Sequence, residues 1–133
     1  MYRALLEGVA FELRLHLEGL EAATGQRISA IRAMGGGSRS RLWTQIVADV
    51  TDRPIQVCLD EQLSARGAAV LAWRTLASPS EAVRCHADLG ETFTPRTEFA
   101  AHYARLAPIH RQIYPGLRAL FADLATVSHP NPP

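Results

Sequence analysis

Apolar residues recur along the first part of the chain with a helical period. Leu5, Val9, Leu13, Leu17 and Leu20 fall on one face, and Leu6 and Ala10 widen it, which predicts a helix over residues 5–21. Arg14 and Glu18 stand four apart and can pair on its wet side. Gly8 costs such a helix about 1 kcal/mol relative to alanine, so a close neighbour is expected there. Gly25 supplies a C-terminal cap. The period then shortens. Residues 28–34 read as a strand, and 55–59, Ile-Gln-Val-Cys-Leu, alternate as a second one. Between them Leu42, Trp43, Ile46, Val47 and Val50 form the stripe of a helix over 40–50, capped by Ser38 or Ser40 and stopped by Asp52-Arg53-Pro54.

Beyond the second strand, Asp60-Glu61-Gln62-Leu63 is a polar connection and 64–74 an alanine-rich helix whose small residues suit tight packing. Ser78-Pro79-Ser80 breaks it, and a short helix is expected over 80–87. Residues 90–95 read as an extended connector and 98–113 as a helix that Pro108 kinks. Tyr114-Pro115-Gly116-Leu117 leads into a last helical stretch through Leu124, and the end from Ser128 is expected to fray. Strands alternating with helices give an α/β architecture. Two strands are a poor sheet for five helices, so the pattern reads as part of a larger sheet. The expected organisation is a nucleotide-binding core over 1–77, a helical tail packing on it over 78–127, and a disordered end over 128–133.

The stretch that could carry chemistry is Gly35-Gly36-Gly37-Ser38-Arg39-Ser40, set between a strand and a helix. Glycine permits positive φ and close approach of another molecule, and the following helix turns its positive end to the loop. An anion or the sugar and phosphates of a nucleotide can sit there. The loop is not a P-loop, since no Gly-Lys-Ser/Thr closes it, and it is not a dinucleotide fingerprint, since Ser40 stands in place of the third glycine. A tight turn with no ligand is the plain alternative.

Composition narrows the choice. At 133 residues the chain suits one domain with a real core. A net charge of +1 argues against a polybasic nucleic-acid binder. Arg27, Arg32, Arg39, Arg41 and Arg53 cluster around the glycine loop; most read as a solvated rim, with one or two available to a phosphate. Cys58 and Cys85 are far apart without metal spacing and read as free thiols of a cytoplasmic protein. The N-terminal residues meet a charge at once, so no signal peptide is expected, and the longest apolar run, 67–73, is far too short to span a bilayer. His16, His86, His102, His110 and His129 show no ligand spacing. Asp49 and Asp52 read as structural or solvated, while Asp60 and Glu61 could reach a metal through water. Trp43 reads as core, and Tyr103, Tyr114 and Phe121 as anchors of the tail. No catalytic residue and no metal ligand is assigned.

Four segments together resemble the C-terminal part of the FGGY carbohydrate kinases, most closely the xylulokinase-like branch. They are Leu6-Glu7-Gly8-Val9-Ala10-Phe11; the glycine loop with Leu42-Trp43-Thr44-Gln45-Ile46 and Ala48-Asp49-Val50; Arg53-Pro54-Ile55 with Ser64-Ala65-Arg66-Gly67-Ala68-Ala69; and Phe93-Thr94-Pro95 with Tyr103 and Ile113-Tyr114-Pro115-Gly116-Leu117. Arg66 departs from the family's usual leucine and Gln62 from a frequent glutamate. The resemblance implies a partial actin-like, ribonuclease H-like ATPase domain, running helix, strand, helix, strand, helix and helical tail. It implies ATP and Mg2+ as cofactors, with Gly35, Gly36, Gly37, Ser38 and Ser40 around the nucleotide. It implies a sugar substrate, of the xylulose type, held by an N-terminal domain that also carries the catalytic base. The competing expectation is a catalytically incompetent fragment or a small self-associating module, a homodimer formed through an uncovered sheet edge.

Overall fold

A computed structural model describes residues 1–59, 62–76 and 88–128. The elements run α1 (Tyr2–Thr24), β1 (Ile31–Ala33), a short 3-10 turn (Gly36–Arg39), α2 (Arg41–Thr51), β2 (Ile55–Cys58), α3 (Leu63–Leu76), β3 (Leu89–Phe93) and α4 (Thr97–Ser128). The sheet has the order β1-β2-β3. β1 runs parallel to β2, with Ile31 opposite Ile55, and β3 runs antiparallel to β2, with Phe93 opposite Ile55.

The amphipathic α2 is the centre of the core. Ile46, Val47, Ala48 and Val50 are buried against Ala10 and Phe11 of α1, Ile55 of β2, Phe93 of β3 and Tyr103 and Ala107 of α4. Phe11 and Tyr103 meet edge to face at 5.8 Å, and His110 stacks on Phe11 at 4.9 Å. Trp43 is half-buried and packs against this core, as its place on the apolar stripe predicts. Asp52 ends α2 in the left-handed region (φ 54°), its N–H donating to the Ala48 carbonyl, and Gly25 ends α1 likewise at φ 67°.

Several elements differ from the sequence expectations for local physical reasons. β1 is shorter than 28–34 because the Ile28 backbone is committed elsewhere: its N–H donates to Glu21 Oε1 (2.7 Å) and its carbonyl accepts from Arg53 Nε (2.7 Å). Residues expected to be a connector form β3. Only Phe93 of that strand is buried, so no alternation marks it. α4 runs unbroken through Pro108 and Pro115. The carbonyls that lose a helical partner, those of Ala104 and Arg111, belong to exposed residues, where water can replace the missing donor. Tyr103 is the buried anchor expected of it, whereas Tyr114 and Phe121 are exposed and stack on each other at 6.3 Å. The alanine-rich α3 leaves Leu71 and Trp73 exposed rather than packed. The expected helix over 80–87, Asp60, Glu61, Cys85, His86 and residues 129–133 lie outside the described residues; Ser128 is the last residue of α4. No described helix is long and apolar enough to cross a membrane.

Candidate functional site

The glycine loop is a turn built largely from its own hydrogen bonds. Gly35 has φ 82°, a value that strains any side-chain-bearing residue. Its carbonyl accepts from Ser38 N–H (3.2 Å) and Ser38 Oγ (2.7 Å), closing the turn that brings the chain from β1 into α2. Ser40 then caps α2: its Oγ accepts from Trp43 N–H (3.3 Å) and its carbonyl from Thr44 N–H (2.9 Å). Of the two serines weighed as caps, Ser40 therefore serves α2 and Ser38 the turn.

Beside the turn is a cavity of about 390 Å³. It lies beyond the carboxyl ends of the parallel strands β1 and β2, where open α/β sheets characteristically hold ligands. Gly35, Gly36 and Ser38 line one side and Val57, Cys58 and Leu59 another. Arg41, from the first position of α2, and Glu91 and Phe93 of β3 complete it, with Arg39 on the rim side of the loop. The Arg41 guanidinium forks onto the Glu91 carboxylate, Nη2 to Oε1 at 2.7 Å and Nη1 to Oε2, and lies 5.3 Å from the centre of the Phe93 ring. The site thus joins an apolar wall to a backbone turn and a cationic rim, as a base-and-sugar-plus-phosphate ligand requires.

Three of the five residues expected around a nucleotide, Gly35, Gly36 and Ser38, line this cavity. The other two do not. Gly37 lines a second, apolar cavity of about 340 Å³ with Ile31, Met34 and Trp43, and a Cβ there would rest 3.6 Å from the Trp43 indole nitrogen. The Ser40 hydroxyl is occupied by the helix cap. Sequence reasoning missed Glu91 and Phe93 because they stand some 50 positions downstream; their signal would have been a basic residue in the loop seeking an acidic one in the connector.

The remaining candidates resolve into structure. Asp49 is fully buried and accepts from Arg96 N–H (2.8 Å), the Arg96 guanidinium and Gln45 Nε2 (2.9 Å); its hydrogen bond holds the Arg96 guanidinium above its ordinary value. Asp52 is exposed at the end of α2. Cys58 is a buried free thiol. Among the described residues, the ionisable groups displaced from their ordinary values, Arg3, Glu7, Glu21, Arg96 and Tyr103, do not line the cavity. Among the described residues no group of three or more His, Cys, Asp or Glu could hold a metal ion, and the Glu91 carboxylate is committed to Arg41.

Residues 1–76 match the model of the FGGY family of carbohydrate kinases, C-terminal domain. An L-fuculokinase of Escherichia coli (strain K12) is 39% identical over 84 residues, which are 61% of this chain and 18% of that protein. A xylulose kinase of Staphylococcus epidermidis is 30% identical over 133 residues, 96% of this chain and 26% of its own length. The crystal structure of xylulose kinase from Rhodospirillum rubrum superposes with a TM-score of 0.71 at 33% identity, over 91% of this chain and 25% of that one. The α/β fold is accordingly the actin-like ATPase fold of these sugar kinases. The chain spans about a quarter or less of the length of these relatives.

Proposed function

The chain belongs to the FGGY family of carbohydrate kinases, and we propose that it forms part of the ATP side of a sugar kinase that transfers the γ-phosphate of ATP to a sugar hydroxyl. The carrying observation is the cavity itself: a positive-φ glycine turn at the head of α2, opening beyond the ends of two parallel strands. The phosphates would lie along Gly35, Gly36 and Ser38, and the less polar part of the nucleotide against Val57, Leu59 and Phe93. Mg2+ would arrive with the triphosphate. Phosphoryl transfer demands chiefly positioning and charge stabilisation, which such a turn supplies. It also needs a base to take the proton from the sugar hydroxyl. We assign that base and the sugar contacts to the part of a longer kinase that this chain, spanning about a quarter of its relatives' length, does not cover. Sugars of the xylulose type are the proposed acceptors, by likeness to the xylulose kinases.

The test is a titration of magnesium-ATP into the isotope-labelled chain. Saturable amide shifts confined to the glycine turn and the end of β2, abolished by Gly35→Ala, are expected. A folded chain without saturable shifts would remove the nucleotide reading. For the acceptor, the complete kinase should phosphorylate xylulose in preference to fuculose and gluconate; the reverse order would reassign the sugar and leave the ATP side standing.

A further inference from the structure

The cavity carries a cation that already has an anionic partner. Arg41 presents both terminal nitrogens to the two oxygens of Glu91, while its guanidinium carbon lies over the Phe93 ring, 5.3 Å from the centre. Arg41 and Glu91 are 72% and 47% exposed, and both line the cavity. A fork that binds a carboxylate bidentately matches the oxygens of a phosphate equally well, and the phosphate brings more charge. The Phe93 ring would keep the guanidinium in place when the carboxylate leaves. Once released, Glu91 is exposed enough to be solvated, so its displacement costs little.

We infer that Arg41 is the phosphate-binding cation of this cavity and that Glu91 is its internal competitor, displaced when the polyphosphate of a nucleotide enters. This rests on the nucleotide reading above and adds a device to it. Before binding, the pair is neutral and closes one side of the cavity. On binding, Arg41 exchanges one set of oxygens for another, and the freed carboxylate repels a second anion. Arg41 and Glu91 thereby set how strongly the site prefers a polyphosphate over an unphosphorylated nucleoside.

Calorimetric titration of the chain with ATP, inorganic tripolyphosphate and adenosine tests this, with thermal melts confirming that each variant is folded. Glu91→Gln keeps the shape and removes the competing charge. It should tighten ATP and tripolyphosphate about two- to fivefold, the range of an exposed ion pair, and leave adenosine unchanged. Glu91→Ala should act in the same direction. Arg41→Ala should weaken the two phosphates roughly tenfold, and a second change at Glu91 should then tighten them by less than it does in the wild type, since only the repulsion and no longer the competition is removed. If Glu91→Gln leaves ATP unchanged or weakens ATP and adenosine alike, the pair is a rivet between α2 and β3 and the inference is overturned, with the nucleotide reading intact. If the folded wild-type chain binds neither ATP nor adenosine, both fall together.

Discussion

Asp49 holds the structural role that its place within a helix suggests. It is completely buried and surrounded by donors from Arg96 and Gln45. It pins the start of α4 to α2. Removing one partner of a buried ion pair costs about 3–5 kcal/mol; Arg96 is 46% exposed and can turn to water, so Asp49→Ala is expected to destabilise the chain by about 2–3 kcal/mol. Urea unfolding measures this, and a loss below about 0.5 kcal/mol would mean that the pair contributes nothing net. The Ser40 cap was legible in the sequence because its partner is three residues away. The Asp49–Arg96 and Arg41–Glu91 pairs were not, because 47 and 50 residues separate their members and only the fold brings them together.

At the scale of elements, periodicity located the helices well and misjudged where they stop. α4 illustrates both. Phe99, Tyr103, Leu106 and Ala107 pack on the core, and Arg111 still pairs with Glu18. From Gln112 onward every described side chain through Val127 is exposed, including Tyr114, Leu120, Phe121 and Leu124. Proline rules suggested a kink at 108 and an interruption at 114–117, but a helix whose interrupted carbonyls meet water tolerates both prolines. β3 escaped notice for the opposite reason, since one buried residue in five gives no alternation to read. The outer half of α4 therefore adds length without burial to the described fold. Deleting residues 114–133 should leave the stability of the rest within roughly 1 kcal/mol and lessen any concentration-dependent association driven by its apolar residues. Thermal melts and sedimentation velocity check the two halves of this expectation; a large drop in melting temperature would show that the outer half supports the core.

For the molecule as a whole, α1 is held by packing against α2 and by carboxylates that bridge elements far apart in the chain, Glu21 and Glu7 among them. Glu21 accepts from Arg53 Nη2 and Ile28 N–H, both at 2.7 Å, while Arg53 donates onward to the carbonyls of Ile28 and Thr51. One glutamate thus ties the end of α1 to the entry of β1 and to the turn before β2. At the other end of α1, Glu7 accepts from Tyr103 Oη at 2.6 Å and Arg3 Nε at 2.8 Å, tying it to α4. Hydrogen bonds from Arg53 and Ile28 hold the Glu21 carboxyl below the usual carboxylate range. Burial pushes the Glu7 carboxyl up, but the hydrogen bonds from Tyr103 and Arg3 outweigh it and leave that group lowered as well. A carboxyl that is more acidic in the folded than in the unfolded chain stabilises the fold fully above its ordinary value of about 4.5, and that contribution is lost as pH falls through the folded-state value. The melting temperature should therefore hold steady near neutral pH and fall on acidification below about 4.5. The Glu7→Gln, Glu21→Gln double variant should melt lower than the wild type at pH 7 and lose less on going to pH 3, since two of the groups that must be protonated are gone. Equal slopes for the two proteins across that interval would place the acid sensitivity in other carboxylates.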